Sequence, residues 1–193
     1  MQRRIEALAR LMAILGGLVL TVLILLTCVS VVGRSLNSLF HGPIEKFAPG
    51  FAEWAINMGV GPINGDFELV EAGVAFAIFA FIPLCQLQSG HAVVDIFTSN
   101  LPTQVNRVLQ MVIDFVFAAV LVLIAVQLFG GLQTKLRAGE ETFILQFPVW
   151  WGYAASLVPA IVSAIVGVYI AGIRFLEVMS GKTMLASPGE ANH

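Results

Sequence analysis

Four long apolar segments limit what this chain can fold into. They span residues 11–32, 69–87, 108–128 and 149–173. Each is close to the roughly 20 residues that an α-helix needs to cross a bilayer. Of the 10 basic and 12 acidic side chains, only Glu71 and Asp114 fall inside these segments. Because a backbone exposed to lipid must satisfy its own hydrogen bonds, the sequence predicts an all-α integral membrane protein, a single domain with four transmembrane helices.

The overall composition supports this prediction. Residues of the types AVILMFWYC make up 58% of the chain, whereas soluble domains reach roughly 45–50% even when Gly is included. The formal net charge of -2 offers no basic stripe that could neutralise phosphates. Nucleic acid is therefore not an expected partner, whereas membrane lipid is.

A short polar bridge, residues 88–104, joins the second and third segments. Its apolar side chains share one face of a helix: Val93, Val94, Phe97 and Leu101. This pattern predicts a short amphipathic helix that lies flat on the membrane surface. His91 and Asp95 are four residues apart and could touch on one helical turn, as a structural contact or as a proton relay. No Ser or Cys is spaced to complete a triad and too few metal ligands exist, so we expect neither an enzyme nor a cofactor.

The loop between the first two segments, residues 33–68, is long and is broken by Gly and Pro into short pieces. Pro49 suits the first position of a helix. An apolar face follows it at i, i+3, i+4 and i+7, formed by Phe51, Trp54, Ala55 and Met58. We therefore expect a surface helix here. It lies on the outer leaflet with Trp54 as an interfacial anchor, or it covers a partner subunit.

Two acidic residues lie within the predicted spans. Glu71 is five residues past Asp66, which is suited to cap the second span, and this places Glu71 roughly 7 Å deeper at about 1.5 Å per residue. Its carboxylate is either solvated at the interface or paired with another helix. Asp114 lies below the headgroup level of the third span, where an unpaired charge is costly. It is either a functional acid or a partner of Arg107 or of a polar group on a neighbouring helix.

Charge and aromatic residues predict the orientation. The N-terminal arm has three arginines and one glutamate within its first ten residues, which by the positive-inside rule places it in the cytoplasm. Four spans return the C-terminus to the same side, and the polar tail, residues 180–193, is expected to be flexible. A polar outer turn is predicted at residues 133–142. Trp150 and Trp151, at the start of the fourth span, then lie at the outer headgroup level.

Several motifs occur in order along the chain. Glu68 and Glu71 come first, and the bridge then reads Gln86-x-x-x-Gly90-His91-x-x-Val94-Asp95 and ends in Leu101-Pro102. Glu141-Thr142 and Pro148-x-Trp150-Trp151-x-Tyr153 follow it. In this order and spacing, the chain resembles the small membrane subunit of TRAP transporters, the DctQ family, across all four helices. The resemblance marks as motif and partner-contact candidates Glu68, Glu71, Gly90, His91, Asp95, Pro102, Asp114, Trp150 and Trp151.

The resemblance implies a non-enzymatic subunit of a transporter in the bacterial inner membrane. Its partners would be a large membrane subunit and a periplasmic substrate-binding protein. In that family the large subunit is understood to hold the substrate and sodium sites, and the small subunit is a fixed support. The implied activity is sodium-coupled uptake of an organic acid or a similar solute. The residues agree with a support role, because no span is visibly discontinuous and intramembrane charge is limited to Glu71 and Asp114.

Two other classes of function remain as alternatives. One is a self-sufficient four-helix proton-coupled transporter, in which Asp114 or Glu71 carries the proton. The other is a membrane haem or quinone redox protein, which would need axial ligands within the spans. The three histidines, His41, His91 and His193, all lie outside the predicted spans, which disfavours the redox class.

Overall fold

The computed structural model describes residues 2–88 and 103–180, and most of these residues are helical. The chain begins with the long helix α1 (Gln2–Leu39), followed by a π-helical turn (Phe40–Ile44) and two short helices, α2 (Glu45–Phe47) and α3 (Pro49–Asn57). Three further long helices follow, α4 (Asp66–Leu87), α5 (Thr103–Ala138) and α6 (Trp150–Ser180). The predicted bridge helix and tail, residues 89–102 and 181–193, lie outside the described residues.

The four long helices are each long and apolar enough to cross a membrane. This confirms the prediction of an all-α integral membrane protein. Two of them are longer than crossing requires, since α1 has 38 residues and α5 has 36. At about 1.5 Å per residue each is roughly 55 Å long, against about 30 Å of hydrocarbon. Both helices therefore extend well beyond the apolar segments that predicted them.

The predicted polar turn at residues 133–142 was wrong over its first half. Helix α5 continues through Gly130-Gly131 to Ala138, and the chain turns only at Gly139, where φ is 61°. A glycine inside a helix costs only about 1 kcal/mol relative to alanine, which the rest of a long helix tolerates. The hydroxyl of Thr134 donates to the carbonyl of Gly130 at 3.0 Å within this extension.

Helix α1 packs antiparallel on α4. Gly16 approaches so closely that a Cβ at this position would lie 2.9 Å from the Cβ of Ala80. Nearer the other end of α1, the side chain of Leu23 covers Gly73 of α4. Small residues at both places allow the two backbones to come together.

Helix α6 lies between α4 and α5. It runs parallel to α4, since Ala72 packs beside Gly152 and Ser163 reaches the backbone of Phe79. It runs antiparallel to α5, on which Tyr153 covers Gly131. The four long helices therefore form an open row in the order α1, α4, α6, α5. In the most apolar stretch of α6, 56% of the residues are buried, whereas the corresponding share is 17% in α1 and in α4 and 11% in α5.

The two ends of this row differ. We call the end with the start of α1 and the last turn of α6 the terminal end. The opposite end, which carries the segment between α1 and α4 and the turn between α5 and α6, is the loop end. The candidate functional groups lie at these two ends, and the apolar middle of each helix separates them.

Helix α3 forms where the sequence predicted a surface helix, with Pro49 at its first position. Its packing differs in part from the predicted apolar face. Ala55 packs with Ala52 against Phe40 of the π-helical turn, and all three are buried. The larger members of the predicted face remain more than half exposed: Phe51, Trp54 and Met58. The helix thus buries its small residues within the chain and presents its large ones outward.

If Asp66 were the N-cap of α4, the first helical residue would be Phe67, but the helix begins one residue earlier. The N-cap is Gly65, whose φ of 81° is a left-handed conformation that favours glycine, and Asp66 is the first helical residue. The prediction that Asp66 caps the helix was therefore wrong. Its carboxylate instead contacts α1, because α1 packs directly against the first turn of α4.

Candidate functional site

The terminal end contains a group of three charged side chains, of which two are buried and one, Asp114, is partly buried. Arg174 of α6 donates from Nε to Oδ2 of Asp114 on α5 at 3.3 Å, and from Nη1 to Oε2 of Glu177 at 2.9 Å. Only 8% of Arg174 and 3% of Glu177 are exposed. Charges at this depth are stable only when they are paired and hydrogen-bonded. The three side chains therefore fasten α5 to α6, and Asp114 is paired with a group on a neighbouring helix, one of the two pairings left open above.

The sequence did not identify Arg174 or Glu177 as members of this group. Arg174 directly follows the apolar segment that was taken to end at residue 173, so it was counted as a flanking charge. The usable signal was the spacing of Arg174 and Glu177, three residues apart on one helical face. Helix α6 continues to Ser180, and both side chains lie within it.

A second polar contact joins α1 to α4 at the loop end. The hydroxyl of Ser30 donates to Oδ2 of Asp66 at 2.6 Å, and both residues are buried. The other oxygen, Oδ1, accepts the backbone N–H of Phe67 at 2.9 Å. Arg34 lies 3.8 Å from Oδ2 and is itself exposed, so it adds a weaker, solvent-screened attraction. Ser30 was not among the site residues predicted from the sequence, and it carries this hydrogen bond.

Glu68 holds the turn between α5 and α6. Its two carboxylate oxygens accept the backbone N–H groups of Ile144 at 2.7 Å and of Leu145 at 2.9 Å. Inside the turn, the hydroxyl of Thr142 accepts the N–H of Phe147 at 3.2 Å. Phe143 is left 95% exposed at the tip. A charged acceptor that serves two amides is a strong constraint, so this family-motif residue fixes how the turn presents its apolar tip.

Glu71 lies one turn beyond Glu68 and lines a cleft between α4, α6 and this turn. The cleft has a volume of about 480 Å³ and a mostly apolar wall. Its lining includes Ala75, Phe143, Phe147, Tyr153 and Ser156. Among the described residues Glu71 has no hydrogen bond or ion pair, which does not favour its predicted pairing with another helix of this chain.

Ser156 is buried at the bottom of the same cleft. It is 1% exposed, and its Oγ has no hydrogen-bond partner in the described part of the chain. Burying a hydroxyl without a partner costs free energy. No pattern in the sequence singles out Ser156, because one serine within an apolar helix is ordinary.

The two tryptophans at the start of α6 contact each other. The rings of Trp150 and Trp151 meet edge to face at 6.2 Å between centroids, and Trp151 also lies 6.4 Å from Phe147. Trp151 is 55% exposed. This aromatic group borders the turn held by Glu68, and its position at a headgroup level stays a prediction.

A hydroxyl also links α6 to α4 in the middle of the row. Pro83 has no N–H, so the carbonyl of Phe79 in the preceding turn loses its helical donor. Ser163 of α6 is fully buried, and its Oγ lies 3.0 Å from that carbonyl oxygen. The same hydroxyl lies 2.8 Å from the carbonyl oxygen of Pro159 on its own helix. Polar groups on neighbouring helices commonly satisfy a backbone that proline interrupts within a membrane.

Four of the predicted site residues lie outside the described residues: Gly90, His91, Asp95 and Pro102. Gln86, which begins the same motif, is described. It is buried beside Gly167 of α6, and its Oε1 has no hydrogen-bond partner among the described residues. Within residues 2–88 and 103–180, no three His, Cys, Asp or Glu side chains are grouped so that they could hold a metal ion.

Comparison with known proteins identifies one family. The sequence model of tripartite ATP-independent periplasmic transporters, DctQ component, matches residues 23–177, which include Asp66, Glu68, Asp114, Arg174 and Glu177. No curated protein and no solved structure matches the chain.

Proposed function

Because this chain belongs to the DctQ family of components of tripartite ATP-independent periplasmic transporters, we propose that it is a fixed support for the large membrane subunit of such a transporter. The family consists of transporter components and not of enzymes. The chain is therefore the small subunit of a TRAP transporter and a multi-pass membrane protein.

The open row of helices is the observation that carries the support role. In a closed four-helix bundle every helix has two neighbours, whereas in this row α1 packs mainly on α4 and α5 packs on α6. Apolar side chains along α1 and α5 are therefore left without helix neighbours in the described part of the chain. On α1, residues at seven-residue intervals are each more than half exposed: Leu11, Leu18, Leu25 and Val32. On α5, Val116, Leu123 and Val126 are similarly exposed. Surfaces of this extent suit both lipid and the helices of a larger subunit.

The charged groups of the row favour support over transport. Asp114 is engaged with Arg174, and Asp66 with Ser30, so each acid holds two helices together. An acid that carries protons across the membrane must change its partner during the cycle. Asp114 could do so only by releasing a buried arginine, which would be costly.

The finer features of the role follow from the family. We propose that the transporter takes up an organic acid or a similar solute with sodium, and that the substrate and ion sites belong to the large membrane subunit. A periplasmic substrate-binding protein delivers the solute. The chain lies in the bacterial inner membrane, with the terminal end of the row in the cytoplasm and the loop end in the periplasm.

Removing the chain tests this role. The large membrane subunit and the binding protein, taken from the same genome, are expressed with and without this chain, and uptake of the solute retained by the binding protein is measured with and without a sodium gradient. We expect uptake only when all three proteins and the gradient are present. Uptake that persists without this chain would contradict the proposal, and so would transport by the purified chain alone in vesicles.

A further inference from the structure

The cleft at the loop end has the chemistry of a lipid headgroup site. It lies within the first turns of α4 and α6, and the aromatic rings of Phe147 and Tyr153 line it. Aromatic side chains of this kind mark the boundary between hydrocarbon and headgroups. A volume of about 480 Å³ is within the range of small-molecule sites and is much larger than one side chain needs.

The cleft favours a cation. Glu71 contributes a carboxylate that has no partner among the described residues, while both oxygens of neighbouring Glu68 already accept backbone N–H groups. The faces of Phe147 and Tyr153 are negative and attract a cation that lies close to them. Glu71 is exposed, so its carboxylate is accessible to an ammonium group at the level of the headgroups.

Ser156 supplies the second polar contact. Ala72 packs beside Gly152, so Glu71 and Gly152 lie at nearly the same depth. Ser156 is one turn farther along α6, roughly 6 Å deeper at about 1.5 Å per residue. The headgroup region of one leaflet is about 5–8 Å thick. A carboxylate above and a buried hydroxyl below therefore match the depth of an ammonium group and of the glycerol ester carbonyls beneath it.

We propose that this cleft binds a phospholipid whose headgroup carries a primary ammonium. The ammonium group pairs with Glu71, the hydroxyl of Ser156 donates to an ester carbonyl, and an acyl chain continues along the apolar wall past Ala75. The site goes beyond the support role and does not depend on it.

Native mass spectrometry of the full chain in detergent tests the site. The chain is titrated separately with phosphatidylethanolamine, which carries a primary ammonium, and with phosphatidylglycerol, which has no cation. We expect the first lipid to bind about tenfold more tightly, equivalent to roughly 1.4 kcal/mol. Glu71→Gln should abolish this preference, and Ser156→Ala should weaken binding of both lipids. Glu53→Gln removes an exposed carboxylate from α3 and should change neither.

A second variant separates binding from folding. Ala75→Leu narrows the cleft without changing its charge, and should reduce retention of phosphatidylethanolamine while the thermal unfolding midpoint stays near that of the parent chain. Equal binding of the two lipids by the parent chain would overturn the proposal, as would an unchanged preference in Glu71→Gln. If Glu71→Gln keeps its lipid preference but no longer copurifies with the large subunit, the cleft binds a basic side chain of that subunit and the proposal is wrong.

Discussion

The hydroxyl oxygen of Ser163 lies 3.0 Å from the carbonyl oxygen of Phe79, the backbone group that Pro83 deprives of its helical donor. A break in the hydrogen bonding of α4 is thus compensated by a side chain of α6. The two residues are 84 positions apart in the sequence. The contact fixes α6 against α4 at one depth, halfway between the polar groups at the two ends of the row.

Replacing this hydroxyl should loosen the contact between α4 and α6. We expect Ser163→Ala to lower the free energy of unfolding in detergent by about 0.6 kcal/mol, the average for hydrogen bonds between membrane helices, and by no more than about 1.7 kcal/mol. Ser180→Ala is the matched control, because the hydroxyl of Ser180 is exposed and donates only to Leu176 of its own helix. Equal effects of the two substitutions would show that the contact with Phe79 contributes nothing.

The buried charges at the terminal end should respond strongly to loss of their cation. Arg174→Met leaves Asp114 and Glu177 without their shared partner, and should destabilise the fold by about 3–5 kcal/mol in thermal or denaturant unfolding. Arg10→Met is the control. Arg10 pairs with Glu6 at the exposed start of α1, where such a pair contributes at most about 0.5 kcal/mol. Adding Glu177→Met to Arg174→Met should restore part of the stability, since it removes one of the two buried acids that Arg174 contacts.

Glu68 should control the order of the turn between α5 and α6. Glu68→Ala removes the acceptor of the N–H groups of Ile144 and Leu145, so hydrogen exchange at these two amides should become several-fold faster while the middle of α6 stays protected. Glu141→Ala is the comparison, because its side chain is exposed in the same turn. Unchanged exchange in Glu68→Ala would contradict the role assigned to the carboxylate.

Two adjacent glycines allow the packing of α1 on α4 to be tested. A Cβ at Gly16 would lie 2.9 Å from the Cβ of Ala80, whereas a Cβ at Gly17 meets nothing within 4 Å. Gly→Ala substitution raises helix propensity by about 1 kcal/mol at either position. Only at Gly16 does the added methyl group overpack the contact with α4, which costs about 1–3 kcal/mol. We therefore expect Gly17→Ala to be neutral or stabilising and Gly16→Ala to be less stable than Gly17→Ala, as measured by unfolding of the two variants side by side.

The orientation of the row can be tested with reporter fusions. If the terminal end is cytoplasmic, green fluorescent protein fused to the C-terminus should fluoresce, because it folds in the cytoplasm. Alkaline phosphatase inserted between α3 and α4 should be active, since it requires the oxidising periplasm. The reverse pattern would place the loop end in the cytoplasm and contradict the positive-inside prediction.

The sequence predicted the helices well, because membrane spans depend on local hydrophobicity. The four apolar segments and the short helix beginning at Pro49 were all visible in it. The residues at which the helices end were less predictable. Helix α5 continues through Gly130-Gly131, since two glycines do not outweigh a long helix that is already formed.

The contacts of the candidate site were harder to predict from the sequence, because they join residues far apart in the chain. Glu68 and Asp114 were recognised as candidates, but their partners were not. Glu68 contacts residues 76 and 77 positions away, and Arg174 lies 60 positions from Asp114. Which of these side chains meet depends on the neighbours and direction of α6, and no local pattern encodes either.

The order α1, α4, α6, α5 has a consequence for how an assembly could be built on this chain. In the described part of the chain, α1 packs mainly on α4 and α5 packs on α6, so other polypeptide segments can attach at either edge without displacing a described helix. The internal hydrogen bonds and ion pairs described above all remain satisfied during such an addition. The chain thus supplies a row of four packed helices, and further helices can pack against α1 at one edge and against α5 at the other.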